Sequence, residues 1–392
     1  MILGAGSQLF SSILLYNILT PTDYGLYSLL LTYIATIFSF GLLGLEQTFL
    51  RLCVVRKGDV YINKYLGMLL FCGLFVGPLS LTVLAKLFFI KDMSIITLYC
   101  LSLMSAYLMF VYNFKRISGD FVASQFVSNI WKIGVLFSLF LFPFIKITFT
   151  YLTMVILVMF CLCSMYFLYQ MYITPVRILR AKSEQMNEIV GLSFSFLFSM
   201  GVLTVLSFFD RYLISIKFDV VLFGDYFFLV NVFVYPFVLF ANYYGFRKLV
   251  EFKESFDFSL FKQELITLFV KVLFFGVCYI CIVLFLSQTS YLAYDFYAFS
   301  GLIVPLVVFG GIKILYSSIS AAMGARGHGR YIFQSNLITL FLVVVFGVTI
   351  FFIDVDIVFI AWIMVFLWLC RSILYFYSVV KFVVKIEVES HP

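Results

Sequence analysis

Six basic side chains lie inside long apolar stretches of this 392-residue chain. They are Lys86, Lys132, Arg211, Lys271, Lys313 and Arg371. A Lys or Arg at the centre of a bilayer costs about 2.5–3.5 kcal/mol on insertion scales, so each must reach an interface or face the protein interior. Lys86, Lys271 and Arg371 stand near the ends of their stretches and are predicted to extend to the interface. Lys132 and Lys313 stand near the middle and are predicted to line a cavity.

Lys132 belongs to a polar stripe. Gln125, Ser128, Asn129 and Lys132 follow one another at i, i+3, i+4 and i+7, which places them on one face of a helix. A polar stripe around a mid-membrane cation predicts a hydrated cavity that binds substrate. The alternative is a face that hydrogen-bonds to neighbouring helices.

Asp210 and Arg211 are adjacent within another apolar stretch, and Ser207 precedes Arg211 by one turn. One interpretation is an interhelical ion pair that holds a bundle together. The other is an arginine directed at phosphate, with Asp210 as the site of a coupling proton or Na⁺ ion.

A further polar face combines Asn231, Tyr235 and Asn242 along one helix. Side chains of this kind suit sugar hydroxyls, which need many weak donors and acceptors, and they equally suit a packed bundle. Asn231 is therefore a predicted substrate contact.

Patterns of catalysis and metal binding are missing from the sequence. Its two histidines, His328 and His391, lie outside the apolar stretches, and neither a P-loop nor G-x-S-x-G occurs. Cys278 and Cys281 form a C-x-x-C in the middle of an apolar helix, which favours packing over redox chemistry. We expect no enzyme activity, no metal site and no cofactor.

The elements that position these residues are predicted to cross a membrane. The chain is 64% hydrophobic and 11% charged, with a mean hydropathy of +1.13, far above the values of soluble domains. Apolar runs of about 20 residues recur along it, each long enough to span a bilayer. They predict an all-α polytopic membrane protein with about twelve transmembrane helices, near residues 1–19, 26–46, 65–90, 93–114, 121–145, 151–173, 189–216, 225–245, 265–286, 301–323, 331–353 and 357–380.

Loop charges predict the orientation. With a cytoplasmic N-terminus, the inner loops hold most of the Lys and Arg residues, Arg51 among them, and the outer loops hold Lys91, Lys146 and Lys217. This distribution follows the positive-inside rule, so both termini are predicted to be cytoplasmic. The cations do not form one basic face, and we expect no nucleic-acid partner.

A weak internal repeat is visible. Tyr24-Gly25-Leu26-Tyr27 is similar to Phe223-Gly224-Asp225-Tyr226, and Phe126-Val127-Ser128-Asn129 is similar to Phe333-Gln334-Ser335-Asn336. Chance similarity in an aromatic-rich chain is the alternative. A true repeat predicts two parallel six-helix lobes, 1–173 and 189–386, joined by a cytoplasmic linker at 174–188 and followed by a tail at 387–392. The connections 174–188 and 246–264 are predicted to include short helices on the inner membrane surface.

Two segments carry a family resemblance. Ile18-Leu19-Thr20-Pro21-Thr22-Asp23-Tyr24-Gly25-Leu26-Tyr27-Ser28, followed by Gly41, Gly44-Leu45-Glu46 and Arg51, resembles the first hairpin of Wzx-type O-antigen flippases. Phe209-Asp210-Arg211 with Gly224-Asp225-Tyr226 is similar to the seventh span of that family and the turn into the eighth. These flippases belong to the multidrug/oligosaccharidyl-lipid/polysaccharide exporter superfamily, and their first helix is usually longer than the one beginning at Met1.

The resemblance implies a two-lobed, MATE-like fold that moves an undecaprenyl-pyrophosphate-linked O-antigen unit to the periplasmic leaflet of the bacterial inner membrane. It implies contacts to pyrophosphate or acidic sugars at Arg51, Lys132, Arg211 and Lys313, and ion coupling at Asp210. Membrane lipids and polysaccharide assembly proteins are the other partners it implies. An O-antigen polymerase or ligase, or a small-molecule exporter of the same superfamily, are the alternatives. Small outer loops argue against the enzyme.

Overall fold

The computed structural model describes residues 2–56, 59–140, 145–173, 177–179, 184–288, 294, 296–326 and 329–390. Almost all of these residues are helical. The helices are α1 Ile2–Ile18, α2 Pro21–Phe40, α3 Leu45–Leu52, α4 Lys64–Phe88, α5 Ile95–Ile117, α6 Phe121–Leu139, α7 Phe149–Ile173, α8 Glu184–Lys217, α9 Val220–Phe233, α10 Tyr235–Glu254, α11 Phe258–Gln288, α12 Ser300–Arg326, α13 Gly329–Phe352 and α14 Ile357–Ser390.

The helices have the length and composition of membrane spans. Within the described ranges, 10 of them could cross a bilayer, counting α2 with α3 as one, and up to 11 if the bent pair α9 and α10 forms a single span. The predicted span at 1–19 corresponds to α1, which has 17 residues and is shorter than the roughly 20 that a bilayer needs. The chain is thus a multi-pass helical membrane protein, and twelve spans stay a prediction.

A small β-sheet interrupts the helical architecture. Strands β1 Val54–Arg56 and β2 Asp59–Asn63 are antiparallel, and β3 Arg177–Leu179 pairs in parallel with β2, with Tyr61 opposite Arg177. The β-branched side chains of Val60 and Ile62 alternate along β2 and are buried against Phe49 and Leu66. The all-α class predicted from the sequence holds for the described residues apart from this short sheet, which the sequence analysis did not predict.

The expected short surface helices also differ from the structure. Residues 177–179 are a strand, and α8 begins at Glu184; residues 174–176 and 180–183 lie outside the described residues. In the connection 246–264, α10 continues to Glu254 and α11 begins at Phe258, so two long helices fill it. Their charged ends extend the spans instead of forming separate helices.

The start of α2 is stabilised by a side-chain cap and by a proline in the first turn. The Thr20 side chain accepts a hydrogen bond from the Asp23 amide at 3.1 Å, and Pro21 occupies the first turn, where its missing N–H costs nothing. Gly25 then allows a close approach, because a Cβ added there would lie 2.0 Å from the carbonyl oxygen of Val220. A Cβ added at Gly224 would lie 3.1 Å from the Cα of Gly25. The two glycines of the similar segments that suggested a repeat lie in the first turns of α2 and α9 and therefore pack against each other.

The chain divides into two compact units, residues 1–224 and 225–392. In the first, α8 packs on α2 and α3, while α6 packs on α1, α5 and α7. In the second, α12 packs on α10, α11 and α14, and α13 packs on α14. The lobe boundaries expected from the sequence stay a prediction.

Candidate functional site

A buried cation lies in the second unit, on α14. Arg371 is 2% exposed and is the largest side chain among the fully buried ones described. Its Nε donates to the Tyr316 hydroxyl at 2.9 Å, and its Nη2 donates to Asn336 Oδ1 and to the Tyr375 hydroxyl, both at 3.0 Å. These neutral acceptors come from α12, α13 and α14. They fix the guanidinium without neutralising its charge.

One donor of this guanidinium is unused. Nη1 of Arg371 is buried and has no hydrogen-bond partner. A buried donor without a partner costs about 1–3 kcal/mol, and more when it is charged. The unfilled Nη1 therefore marks a position where an acceptor would bind favourably.

Lys313 brings a second cation to the same group of aromatic side chains. Its Nζ lies 4.6 Å from the ring centroid of Phe309 and 4.7 Å from that of Trp368. Trp368 contacts Tyr316 edge to face at 5.1 Å, so it links Lys313 to the Arg371 hydrogen bonds. The buried Trp368 Nε1 also has no hydrogen-bond partner. We call Lys313, Tyr316, Asn336, Trp368, Arg371 and Tyr375 the cation–aromatic centre.

Helical spacing builds this centre from short segments. Trp368, Arg371 and Tyr375 follow at i, i+3 and i+7 on one face of α14. Lys313 and Tyr316 are three residues apart on α12. Asn336 belongs to α13, where the neighbouring Ser335 shares a hydrogen bond with Ser378 of α14 at 3.3 Å.

The electrostatics of the centre favour an anion. Neither 300–353 nor 357–385 contains an Asp or Glu, so α12, α13 and α14 bring no carboxylate to either cation along their apolar lengths. Buried charges are costly unless paired, and cation–π contacts and neutral acceptors compensate them in part. The centre can accept a phosphate or carboxylate group. The rings of Phe309, Tyr316, Trp368 and Tyr375, which surround the two cations, are all buried.

The prediction that Lys313 lines a substrate cavity stays a prediction, whereas the placement predicted for Arg371 is wrong. The arginine was expected to extend to the inner interface, whereas it is buried because three acceptors from three helices surround its guanidinium. Two signals were available in the sequence. Tyr375 follows Arg371 by one helical turn, and Asn336 lies in the repeated Ser-Asn pair of α13.

Lys86 keeps the placement expected from its position near a helix end. Its Nζ donates to the carbonyl oxygens of Lys91, at a short distance, and of Met93 at 2.7 Å, just beyond α4. The ammonium group is thus bound by the loop backbone.

The polar stripe of the first unit is held together locally on α6. Asn129 Nδ2 donates to the Gln125 carbonyl oxygen at 2.8 Å and contacts Ser128 Oγ at 2.9 Å. A Cβ added at Gly4 of α1 would lie 2.3 Å from Asn129 Cβ and Oδ1. The Asn129 part of the stripe therefore packs on the α1 backbone, which agrees with the helix-contact alternative.

Lys132 stands one turn further along α6 and is partly buried. Its Nζ lies 5.6 Å from the ring of Trp131. In the part of the chain that the structure describes, no carboxylate forms an ion pair with it. Lys132 remains a candidate contact for an anion.

The other predicted site residues lie on separate elements. Asp210 is 1% exposed on α8, and the Arg211 guanidinium lies 5.4 Å from the Phe208 ring. Arg51 is exposed in the last turn of α3. Asn231 is buried on α9, in the second unit. Among the described residues, no three His, Cys, Asp or Glu side chains are placed to hold a metal ion.

Comparison with models of protein families, with curated protein sequences and with solved structures finds no match to this chain.

Proposed function

We propose that this chain is a flippase that carries an undecaprenyl-pyrophosphate-linked O-antigen unit from the cytoplasmic to the periplasmic leaflet of the bacterial inner membrane by alternating access. The observation that carries the proposal is the cation–aromatic centre. It contains two cations, Lys313 and Arg371, on helices that have no acidic residue over 300–326 and 357–385, and Nη1 of Arg371 is unfilled. The resemblance of the first hairpin to Wzx-type flippases supplies the cargo.

The chemistry of the cargo fits this centre. A pyrophosphate cannot enter hydrocarbon without partners that replace its hydration, and Arg and Lys supply such partners. Sugar rings present apolar faces that pack on aromatic rings, and their hydroxyls need donors and acceptors such as Asn336 and Tyr375. The polyprenyl tail stays in the lipid.

The remaining site residues have roles under this proposal. Lys132, Arg211 and Arg51 contact the anionic groups of the cargo, with Gln125, Asn129 and Asn231 as polar contacts. Asp210 binds the coupling H⁺ or Na⁺. The chain acts beside polysaccharide assembly proteins and carries out no catalytic step itself.

The test is to locate the lipid-linked unit in a strain from which this chain has been deleted. A flippase defect leaves single O-units on the cytoplasmic face, where an added impermeant probe reaches them only in inverted vesicles. A polymerase or ligase defect would instead leave single units on the outer surface. Units that reach the outer face normally would overturn the proposal.

A further inference from the structure

The span formed by α2 and α3 is broken inside the first unit. Between Gly41 and Gly44 the backbone makes tight turns, with the Leu43 amide bonded to the Phe40 carbonyl at 2.9 Å and the Leu45 amide bonded to the Leu42 carbonyl at 3.0 Å. Leu43 has a φ of 55° and Gly44 a φ of 77°, both in the left-handed region. We call residues 41–44 the α2–α3 joint.

The joint is tightly enclosed. A Cβ added at Gly44 would lie 2.8 Å from the backbone nitrogen of Leu197 on α8. A Cβ added at Gly77 of α4 would lie 2.0 Å from the Gly41 carbonyl oxygen. Non-helical backbone at membrane depth is tolerated where it is buried in protein, and these close approaches provide that burial.

An isolated carboxyl group follows the joint. Glu46, in the first turn of α3, is 0% exposed, and neither of its carboxyl oxygens has a hydrogen-bond partner. The Gln47 side chain and the backbone at Gly44 and Glu46 lie near the carboxyl group and act to stabilise its ionised form, but none of them meets the geometry of a hydrogen bond to it. Glu46 is thus the one glutamate among the buried residues described.

The central lengths of the helices around α3 carry no charged residue that could pair with Glu46. α3 packs against α4, α5, α8 and β2, and the chain has no charged residue at 65–85, 95–114 or 189–209. Arg51 of α3 itself is exposed at the other end of that helix. Outside those stretches the same elements carry charged residues, which are Asp59 on β2, Lys64 and Lys86 on α4, Lys115 and Arg116 on α5, and Glu184, Glu188, Asp210, Arg211 and Lys217 on α8. Their other titratable residues are Tyr61 on β2, Tyr65 and Cys72 on α4, Tyr99, Cys100, Tyr107 and Tyr112 on α5, and Tyr212 on α8.

The ionised form of Glu46 would be costly in this position. An unpaired carboxylate in a protein interior loses several kcal/mol relative to water, and the uncharged acid loses much less. A metal ion is a poor substitute for the proton, because hard cations need several oxygen ligands and Glu46 supplies a single carboxyl group.

We propose that Glu46 is a proton-binding site that controls the α2–α3 joint. In the packed joint Glu46 is the neutral carboxylic acid. When the joint opens, the O–H bond breaks, the proton passes to water, and the resulting carboxylate becomes hydrated. Low pH therefore favours the packed joint, and high pH favours the open one. This inference is independent of the cargo and of the cation–aromatic centre.

Infrared spectroscopy of the purified chain in lipid nanodiscs tests the protonation state. At pH 7, where exposed carboxyl groups are ionised, the wild type should show the C=O stretch of a protonated carboxyl, and Glu46→Gln should lose it. Glu254→Gln, which changes an exposed glutamate at the end of α10, should retain it. An unchanged band in Glu46→Gln would overturn the proposal. If Glu46→Gln does not fold, Glu46→Asp should shift the frequency of this band. An unshifted band in Glu46→Asp would also overturn the proposal.

Hydrogen exchange tests the link to the joint. Corrected for the intrinsic effect of pH, exchange of peptides covering residues 41–52 should become at least about tenfold faster between pH 6 and pH 9 in the wild type, since about 1.4 kcal/mol corresponds to tenfold. Glu46→Gln cannot ionise and should show no such increase, whereas Glu254→Gln should behave as the wild type. The same increase in Glu46→Gln would exclude Glu46 as the controlling group.

Discussion

Arg371 and Lys313 show how differently two cations can be accommodated in apolar helices. Arg371 uses its planar fork to reach acceptors on three helices, which a lysine could not do with a single ammonium group. Lys313 instead lies over the rings of Phe309 and Trp368. These three acceptors of Arg371 are neutral groups, so its positive charge is available to an anion.

Replacing Arg371 by Gln should abolish transport while leaving the protein in the membrane. Glutamine can still hydrogen-bond to the surrounding hydroxyl and amide groups, but it removes the charge. Losing one charged hydrogen bond of about 1.5–3 kcal/mol weakens anion binding roughly tenfold or more. Inorganic pyrophosphate should raise the Tm of the wild type, and Arg371→Gln should need at least about tenfold more pyrophosphate for the same increase.

The matched control for this variant is Lys271→Gln, because Lys271 is exposed on α11. It removes the same charge from the same unit and should keep both transport and stabilisation by pyrophosphate. An equal loss of transport and of stabilisation by pyrophosphate in Arg371→Gln and Lys271→Gln would show that net charge, and not the cation–aromatic centre, is responsible.

In the first unit, the predicted role of Lys132 in binding the cargo can be tested with Lys132→Ala. The variant should abolish surface O-antigen with normal amounts of protein in the membrane, because Lys132 has no ion-pair partner within the described residues that its loss would leave unpaired. Immunoblots of membranes and of surface polysaccharide measure the two quantities. Normal surface O-antigen in Lys132→Ala, with Lys271→Ala as the comparison, would remove Lys132 from the site.

Sequence alone could select the candidate cations but not their environments. Position along an apolar run distinguishes Lys132 and Lys313 from Lys86, whose ammonium group binds loop carbonyls as a residue near a helix end should. Arg371 required knowledge of which helices pack together, since Tyr316 and Asn336 are 55 and 35 residues away in the chain. Hydrophobic periodicity carries no information on such distant partners.

At the scale of elements, apolar length predicts the long helices well. The run expected at 301–323 is α12, Ser300–Arg326, and the run at 331–353 is α13, Gly329–Phe352. The sheet was missed because β3 is distant in sequence from β2 and is only three residues long. The α2–α3 joint was missed because its residues are as apolar as the helices on either side.

The contact between Gly25 and Val220 predicts a specific packing defect. Alanine at Gly25 would improve helix propensity by about 1 kcal/mol, but its Cβ would lie 2.0 Å from a backbone oxygen, and overpacking typically costs about 1–3 kcal/mol. The clash involves backbone, which cannot rotate away, so Gly25→Ala should lower the Tm of the solubilised protein.

Gly6→Ala is the control for that variant. Nothing lies within 4 Å of a Cβ added at Gly6, which is exposed on α1. The same gain in helix propensity then acts alone, so its Tm should be unchanged or slightly higher. A Gly25→Ala protein as stable as Gly6→Ala would mean that α2 and the start of α9 do not pack as closely as the structure has them.

At the scale of the whole chain, each compact unit contains its own buried polar group in an apolar setting. The first, residues 1–224, holds Glu46 at a helix break, and the second, residues 225–392, holds Arg371 among aromatic rings. Both groups are expensive to bury, Glu46 even as a neutral acid and Arg371 as a cation, and ordinary helix packing does not require either of them. Their presence is the physical reason to look for ligands, a proton for one and an anion for the other.

The number of membrane crossings in the second unit can be tested by cysteine labelling. Ser255, between α10 and α11, and Asp354, between α13 and α14, are both exposed and are separated by α11, α12 and α13. If each of these helices crosses once, the two residues lie on opposite sides of the membrane, and the positive-inside rule predicts that Ser255 is cytoplasmic. With the native cysteines replaced by serine, Asp354→Cys should react with a membrane-impermeant maleimide in intact spheroplasts, whereas Ser255→Cys should react only after lysis. Labelling of both cysteines in intact spheroplasts would mean an even number of crossings between them. Labelling of Ser255→Cys alone in intact spheroplasts would mean that Ser255 is outside and that the predicted orientation is reversed.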